Sequence, residues 1–278
     1  MTTQFEKAES FRKLHEQGSC FVIPNPWDQG SARLLEHLGF KALASSSAGF
    51  AFSMAKSDLS ISKSSLMNHL TGVCQVTSLP VSADLQNGFG NDPEDMAVTI
   101  LQAAKTGIVG GSIEDASGDD GNPVYPLDLA AERIRHAAVA ARSLGFRFTL
   151  TARAENHLYG RLDLKDTIRR LQAYQEAGAD VLFAPGIKTR EEISAVIRAI
   201  DRPLNVLAGL GGMTLGVAEL QELGVTRISL GGSLARAAYG ALLRAATEVR
   251  EQGTFGYVRE AASGKELNEI FAQQRAEP

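Results

Sequence analysis

Asp84, Glu114, Asp115 and Arg153 are charged groups standing where short apolar runs end: "PVSADL" (80–85), "GGSIED" (110–115) and "FTLTAR" (148–153). A carboxylate at the end of a buried run is costly unless it is paired or binds something. Two carboxylates at one low-dielectric mouth repel, so Asp84 and Glu114 call for a cation or a shared proton. Oxygen ligands from Asp and Glu, completed by water, suit Mg2+, with Mn2+ as the substitute. Arg153 offers a planar fork to a carboxylate or an enolate oxygen. Ser45, Ser46 and Ser47, followed by Ala48 and Gly49, supply hydroxyls and backbone N–H groups suited to an anionic group. Gly88 and Gly90 of "NGFG" let the backbone pass close to such a site.

Each residue taken alone has a plainer reading. Asp84 would cap the turn at residues 87–92, Glu114 would simply pair with Arg153, and the serines would cap a helix. Asp58, in "AKSDLS", reads as a cap, Trp27 as packing and His157 as at best a group behind the site. What favours a site is the coincidence of Asp84, Glu114, Asp115 and Arg153 on successive runs.

The elements that must position these groups alternate along the chain. Eight apolar runs predict strands; the other five are "CFVIPN" (20–25), "ALASSS" (42–47), "VLFAPG" (181–186), "LNVLAG" (204–209) and "RISLGG" (227–232). Helical spacing lies between them, as in Ile193, Val196, Ile197 and Ile200, or Met96, Ile100 and Ala103. Gly39, Gly107, Gly145, Gly178 and Gly224 read as left-handed C-caps before the next run. Eight strand–helix units predict one α/β domain over 1–278, a closed (β/α)8 TIM barrel, with an open doubly wound sheet as the alternative. In such a barrel the site lies at the C-terminal strand ends, where Asn25, Asn205 and Ser229 also fall. A helical tail at about 255–278, with Leu267, Ile270 and Phe271 on one face, has no strand of its own. A partner subunit is one place for it to pack.

The segments "PVSADLQNGFG", "GGSIEDASGD", "LTARAEN" and "SSSAGFAFS…SD" together resemble the isocitrate lyase/phosphoenolpyruvate mutase superfamily, over roughly residues 8 to 255. The resemblance implies a (β/α)8 barrel whose C-terminal helix is swapped between subunits of a homodimer or homotetramer. It implies Mg2+, a small 2-oxo or 2-hydroxy carboxylate substrate and an enolate-like species. Carried onto this chain, Asp84 binds the metal and Glu114 holds it through water. Ser47, Ala48 and Gly49 grip a substrate carboxylate, Arg153 faces the substrate oxygen, Asp58 lies near the reacting centre, and Asn205 faces the substrate.

Departures narrow the chemistry. Where the family has Asp-x-Asp at the metal, this chain has Asp84-Leu85-Gln86, so the candidate ligand Gln86 brings no charge. The loop "EDASGDDGNPVYP" lacks the Cys, Lys and His of isocitrate-type lyases, and of the Lys and Asn of the mutase type only Asn122 is available. Ser112 replaces the histidine of the isocitrate-type fourth strand. The expectation is a Mg2+-dependent lyase that cleaves a C–C bond or decarboxylates an oxaloacetate-like acid. The alternatives are C–P chemistry of the phosphonomutase or phosphonopyruvate hydrolase type, a non-catalytic ligand-binding barrel, and a barrel gripping phosphate at Gly211-Gly212 and Gly231-Gly232.

Bulk properties set outer bounds. The chain has 278 residues, 44% of them hydrophobic, and a net charge of −4 without a basic block, which argues against nucleic acid or an anionic membrane as partner. Cys20 and Cys74 read as reduced thiols of a cytoplasmic chain, and the acid-bearing N-terminus as neither signal nor transit peptide.

Overall fold

The computed structural model describes residues 2–16, 18 and 20–272. After helix α1 (Gln4–Lys13) come β1 (Phe21–Ile23), α2 (Gln29–His37), β2 (Leu43–Ala44), α3 (Ser47–Ser53), α4 (Lys63–Val76), β3 (Val81–Asp84), α5 (Pro93–Ala104) and β4 (Gly110–Glu114). Then follow α6 (Leu127–Arg142), β5 (Thr149–Arg153), α7 (Leu164–Glu176), β6 (Val181–Phe183), α8 (Arg190–Ala199), β7 (Leu204–Leu207), α9 (Val217–Glu222), β8 (Arg227–Ser229), α10 (Ser233–Gln252) and α11 (Gly264–Ala272). The eight strands are parallel and ordered β1-β8-β7-β6-β5-β4-β3-β2. Between β1 and β2 the Ala44 N–H donates to the Pro24 carbonyl at 3.0 Å, which nearly closes the ring. The fold is a (β/α)8 TIM barrel, and every strand falls inside a predicted run.

Register decides which side chains meet. Glu114 pairs with Arg153, Arg153 with Phe183, Phe183 with Asn205, and Asn205 with Arg227. Alternation then stacks Ser82 below Asp84, Ser112 below Glu114, Thr151 below Arg153 and Arg227 below Ser229. Ile113, Ala152, Val206 and Ile228 take the other parity and are buried in the hydrophobic core. Helix α1 packs Ala8 and Phe11 against Ile23, Ala42 and Val109 in a second, smaller core.

Of the predicted helix faces, Met96, Ile100, Ala103, Ile193 and Val196 are buried, whereas Ile197 is half-buried and Ile200 is half-buried as the extended residue that ends α8. Four of the five predicted C-cap glycines have positive φ, between 84° and 106°, at Gly39, Gly107, Gly178 and Gly224. Gly145 does not; the chain leaves α6 through Ser143 without a left-handed step there.

The C-terminal elements differ from the core. Of the 20 residues in α10 only Ala235 is buried, while Leu242 and Leu243 are 62% and 68% exposed. Helix α11 rests on α2 of its own barrel: Ile270 is buried and the Phe271 ring approaches Gly30. Residues 273–278 of the predicted tail lie outside the described residues. No helix among the described residues is long and apolar enough to cross a membrane.

Candidate active site

At the C-terminal strand ends a cavity of about 320 Å3 opens. It gathers Asp58, Asp84, Glu114, Glu155, Arg153 and Arg227 among its walls, with Ser45, Ser46, Ser47 and Ala48 on one side. Phe183, Leu207, Leu210, Leu158 and Tyr159 supply apolar wall.

Asp84 ends β3 and is held on all sides. Its N–H donates to Ser45 Oγ at 2.9 Å. One carboxylate oxygen accepts from Ser47 Oγ at 2.7 Å and from the Ser47 N–H at 3.3 Å, and the other from the Gln86 N–H at 3.2 Å. Arg153, ending β5, points a single nitrogen, Nη1, at both Glu114 Oε2 (3.2 Å) and Asp84 Oδ1 (3.8 Å). Its Nε and Nη2 form a fork on Glu155, the second of these bonds at 3.2 Å, and its guanidinium lies 5.3 Å from the Phe183 ring centre.

Burial pushes Glu114 well above the ordinary carboxylate range; Arg153 opposes this, while Glu155, Asp84 and Asp115 add to it. Glu155 is raised by burial too, against the pull of Arg153. For Arg153, burial works against the charge, but Glu155, Glu114 and Asp84 outweigh it and hold the guanidinium protonated. Asp58 stands at the exposed rim, in a loop where Ala55 and Leu59 have positive φ. Contact with the wall desolvates its carboxyl and raises its pKa, and Asp84 acts in the same sense. Asp58 accepts from the Leu59 N–H at 2.8 Å, and the cap of α4 is Ser62, so Asp58 caps no helix.

The structure thus brings Asp58, Asp84, Glu114, Arg153, Ser47, Ala48 and Asn205 to one cavity. It leaves three of the expected residues outside the lining. Gln86 takes φ 52° and is buried, with Nε2 lacking a partner among the described residues. Gly49 is packed behind, its N–H donating to Ser46 Oγ at 3.1 Å, and a Cβ there would come within 2.9 Å of Trp27. Asp115 has the opposite strand parity to Glu114. It accepts from the Glu155 N–H (2.7 Å), Arg170 Nη1 (3.0 Å) and Tyr174 Oη (2.5 Å), so it ties β4, β5 and α7 together from outside the barrel.

The loop after β4 is a small hairpin with an antiparallel bridge between Ala116 and Val124. Tyr125 Oη donates to Asn91 at 2.6 Å, which anchors its base, and the loop contributes nothing to the cavity lining. Glu155, Tyr159 and Arg227 are wall residues that the sequence reading passed over. A signal for Glu155 was its spacing of two from Arg153; for Arg227 it was a charge opening an apolar run two residues before Ser229.

Whether these residues fit a divalent cation follows from the charges. Four carboxylates face two guanidinium groups in the wall, so with all ionised two negative charges remain in excess. Asp84 and Glu114 present hard oxygens that converge on one point, at Arg153 Nη1. Among the described residues no three His, Cys, Asp or Glu side chains form a full ligand set. Mg2+ does not ask for one, because it binds through one or two carboxylates and keeps water and substrate oxygens. The residues therefore fit.

The family profile described as phosphoenolpyruvate phosphomutase matches residues 11–250. An oxaloacetate decarboxylase of Pseudomonas putida (strain GB-1) is 31% identical over 273 residues, covering 95% of this chain and 91% of that one. A Burkholderia cenocepacia J2315 crystal structure, named only at the level of lyase/mutase, superposes with a TM-score of 0.95 at 54% identity, covering 97% of this chain and 96% of the other. Phosphonopyruvate hydrolase in complex with oxalate and Mg2+ superposes with a TM-score of 0.85 at 26% identity, covering 95% and 94%. With the barrel, the strand-end acids and these likenesses in agreement, the chain belongs to the phosphoenolpyruvate phosphomutase family, within the PEP mutase/isocitrate lyase superfamily of enzymes.

Proposed function

We propose that this protein is a Mg2+-dependent carbon–carbon lyase of a small 2-oxo acid, with decarboxylation of an oxaloacetate-like dicarboxylate as its reaction. The observation that carries this is the convergence of Asp84 and Glu114 on Arg153 Nη1 inside a cavity lined by four carboxyl groups and two guanidinium groups. The decarboxylase relatives and the oxalate complexes of structural neighbours support the same reading.

Asp84 would hold the metal directly and Glu114 through water; a bound Mg2+ would polarise the substrate's carboxylate and 2-oxygen. The protein's own groups do the rest. In decarboxylation the C3–C4 bond breaks, CO2 leaves, and the electron pair becomes the C2–C3 double bond of an enolate, with negative charge on the 2-oxygen. Arg153 is protonated and fixed by Glu155, so its guanidinium is set to stabilise that charge without reorganising. Ser47 locks Asp84 with its hydroxyl and N–H, and Gly49 gives its N–H to Ser46, leaving Ala48 as the amide of this segment taken up by neither bond. A proton delivered to C3 from water or the rim completes pyruvate. Asp58 stands at the rim with a raised pKa and is the group placed to handle that proton.

The enclosing assembly belongs to the same reading. The bare apolar face of α10, at Leu242, Leu243 and Val249, is the surface by which copies of this chain form a homodimer or homotetramer. The test of function is direct: oxaloacetate is supplied with and without Mg2+, and CO2 and pyruvate are followed. Metal-dependent release supports the assignment; none, across a series of 2-oxo acids, removes it.

A further inference from the structure

Arg227 is a buried cation without a carboxylate. It opens β8, is 5% exposed and lies at the floor of the cavity. Its Nε donates to Asn205 Oδ1 at 2.9 Å, its Nη2 to Thr151 Oγ1 at 3.0 Å, and its Nη1 stands 3.5 Å from His15 Nε2. His15 Nδ1 lies 2.9 Å from the Phe11 carbonyl, so that nitrogen carries the proton and Nε2 faces Arg227 as an acceptor. Burial keeps His15 neutral, with its pKa down to about 3. Every partner of the guanidinium is therefore uncharged. A desolvated cation with neutral partners only is expensive, and it casts a positive potential into the cavity above it.

The bonds around Arg227 run in one direction. A guanidinium only donates, so the Asn205 amide has its oxygen toward Arg227 and its nitrogen toward Ser229. Asn205 Nδ2 then donates to Ser229 Oγ at 2.9 Å. Ser229 Oγ accepts one bond from below, and its own proton has no partner among the described residues. Ser229 lines the cavity, whereas Asn205 is 0% exposed. The chain Arg227→Asn205→Ser229 thus ends in one hydroxyl proton free to donate, backed by a positive charge and polarised along its length.

We propose that Ser229 is a substrate-binding residue that donates to a carboxylate oxygen of the substrate, and that Arg227 acts through Asn205 as its positioning residue. This rests on the dicarboxylate reading of the site and adds to it the floor contact. Asn205 becomes the relay, and the hydroxyl two strand positions above Arg227 becomes the donor the substrate meets.

The test uses 3,3-difluorooxaloacetate as a probe, with Mg2+, in calorimetric titrations of the full chain, beside oxaloacetate kinetics. Ser229→Ala should weaken the probe by about tenfold, the scale of one hydrogen bond to a charged group, and raise KM with kcat changed less than about twofold. Arg227→Gln keeps a donor toward Asn205 but removes the charge, and should weaken the probe several-fold with the same split. In the double variant the two losses should fall short of multiplying, because both act through one chain. Equal probe affinity in Ser229→Ala and the unsubstituted protein, or full multiplication in the double variant, overturns this inference. If the unsubstituted protein does not bind the probe at all, the dicarboxylate reading itself falls, and the inference with it.

Discussion

Asp115→Ala should destabilise the barrel from behind the cavity, without removing any side chain that lines it. The Asp115 carboxylate is 3% exposed and accepts three donors: the Glu155 N–H, Arg170 Nη1 and Tyr174 Oη. Removing it leaves the Glu155 N–H and the Tyr174 hydroxyl buried without an acceptor, each at about 1–3 kcal/mol. Arg170 is buried as well but keeps Asp166 at 2.8 Å and the Tyr125 carbonyl at 3.0 Å, so its charge is not stranded. The expected loss is about 3 kcal/mol, at the low end for a broken buried pair. For a chain of this size that lowers Tm by roughly 6 °C. Asp84→Asn is the contrast. Its site has an excess of carboxylates, so removing one charge relieves repulsion, and stability should stay within about 1 kcal/mol while metal-dependent activity is lost. Urea unfolding of both variants reads the difference. An Asp115→Ala loss below about 1 kcal/mol, or an Asp84→Asn loss equal to it, would refute the division of the two acids into tie and site.

Three further outcomes follow from the same geometry. Burial raises Glu114, so folded protein without metal holds a proton there to higher pH than an ordinary carboxylate; cation binding must expel it, and Mg2+ affinity should fall as the pH is lowered, with proton release visible as buffer-dependent heat in calorimetry. Leu242→Glu with Leu243→Glu should convert an oligomer to monomers in sedimentation, since both side chains are more than half exposed on α10; a monomeric parent chain would remove the assembly reading. Isocitrate and 2-methylisocitrate should be cleaved weakly or not at all, because the hairpin after β4 brings no Cys, and a missing acid costs about two to four orders of magnitude. Efficient turnover of either in steady-state assays would show another proton donor at work.

Much of the architecture was legible because buried parallel strands are uniformly apolar and helices are periodic. All eight runs became strands, and Met96, Ile100 and Ala103 became a buried face. The strand-end acids were legible too, since a charge closing an apolar run has few plain explanations. Parity was harder. A run of six residues does not by itself say which of two adjacent acids faces the axis; only the family resemblance singled out Glu114, and the fold puts Glu114 in the cavity wall and Asp115 behind it. Gln86 was placed by analogy with a second aspartate, but positive φ in the turn carries its side chain out of the cavity lining. Arg227 escaped notice because its role depends on Asn205 on the neighbouring strand and Thr151 across the barrel, which meet it only in the fold. The tail helix was legible as apolar on one face; that it lies on α2 of the same chain came from packing alone.

The central claim is that Asp84, Glu114 and Arg153 form a metal-assisted enolate site for an oxaloacetate-like acid. The measurement that meets it most directly is CO2 and pyruvate release from oxaloacetate by the full chain and by Asp84→Ala, each with saturating Mg2+ and with excess chelator, corrected for the metal's own slow catalysis. The account predicts turnover only in the unsubstituted protein with metal, with a loss of at least about a hundredfold in the other three conditions. Equal rates in chelator, or in Asp84→Ala, would contradict it.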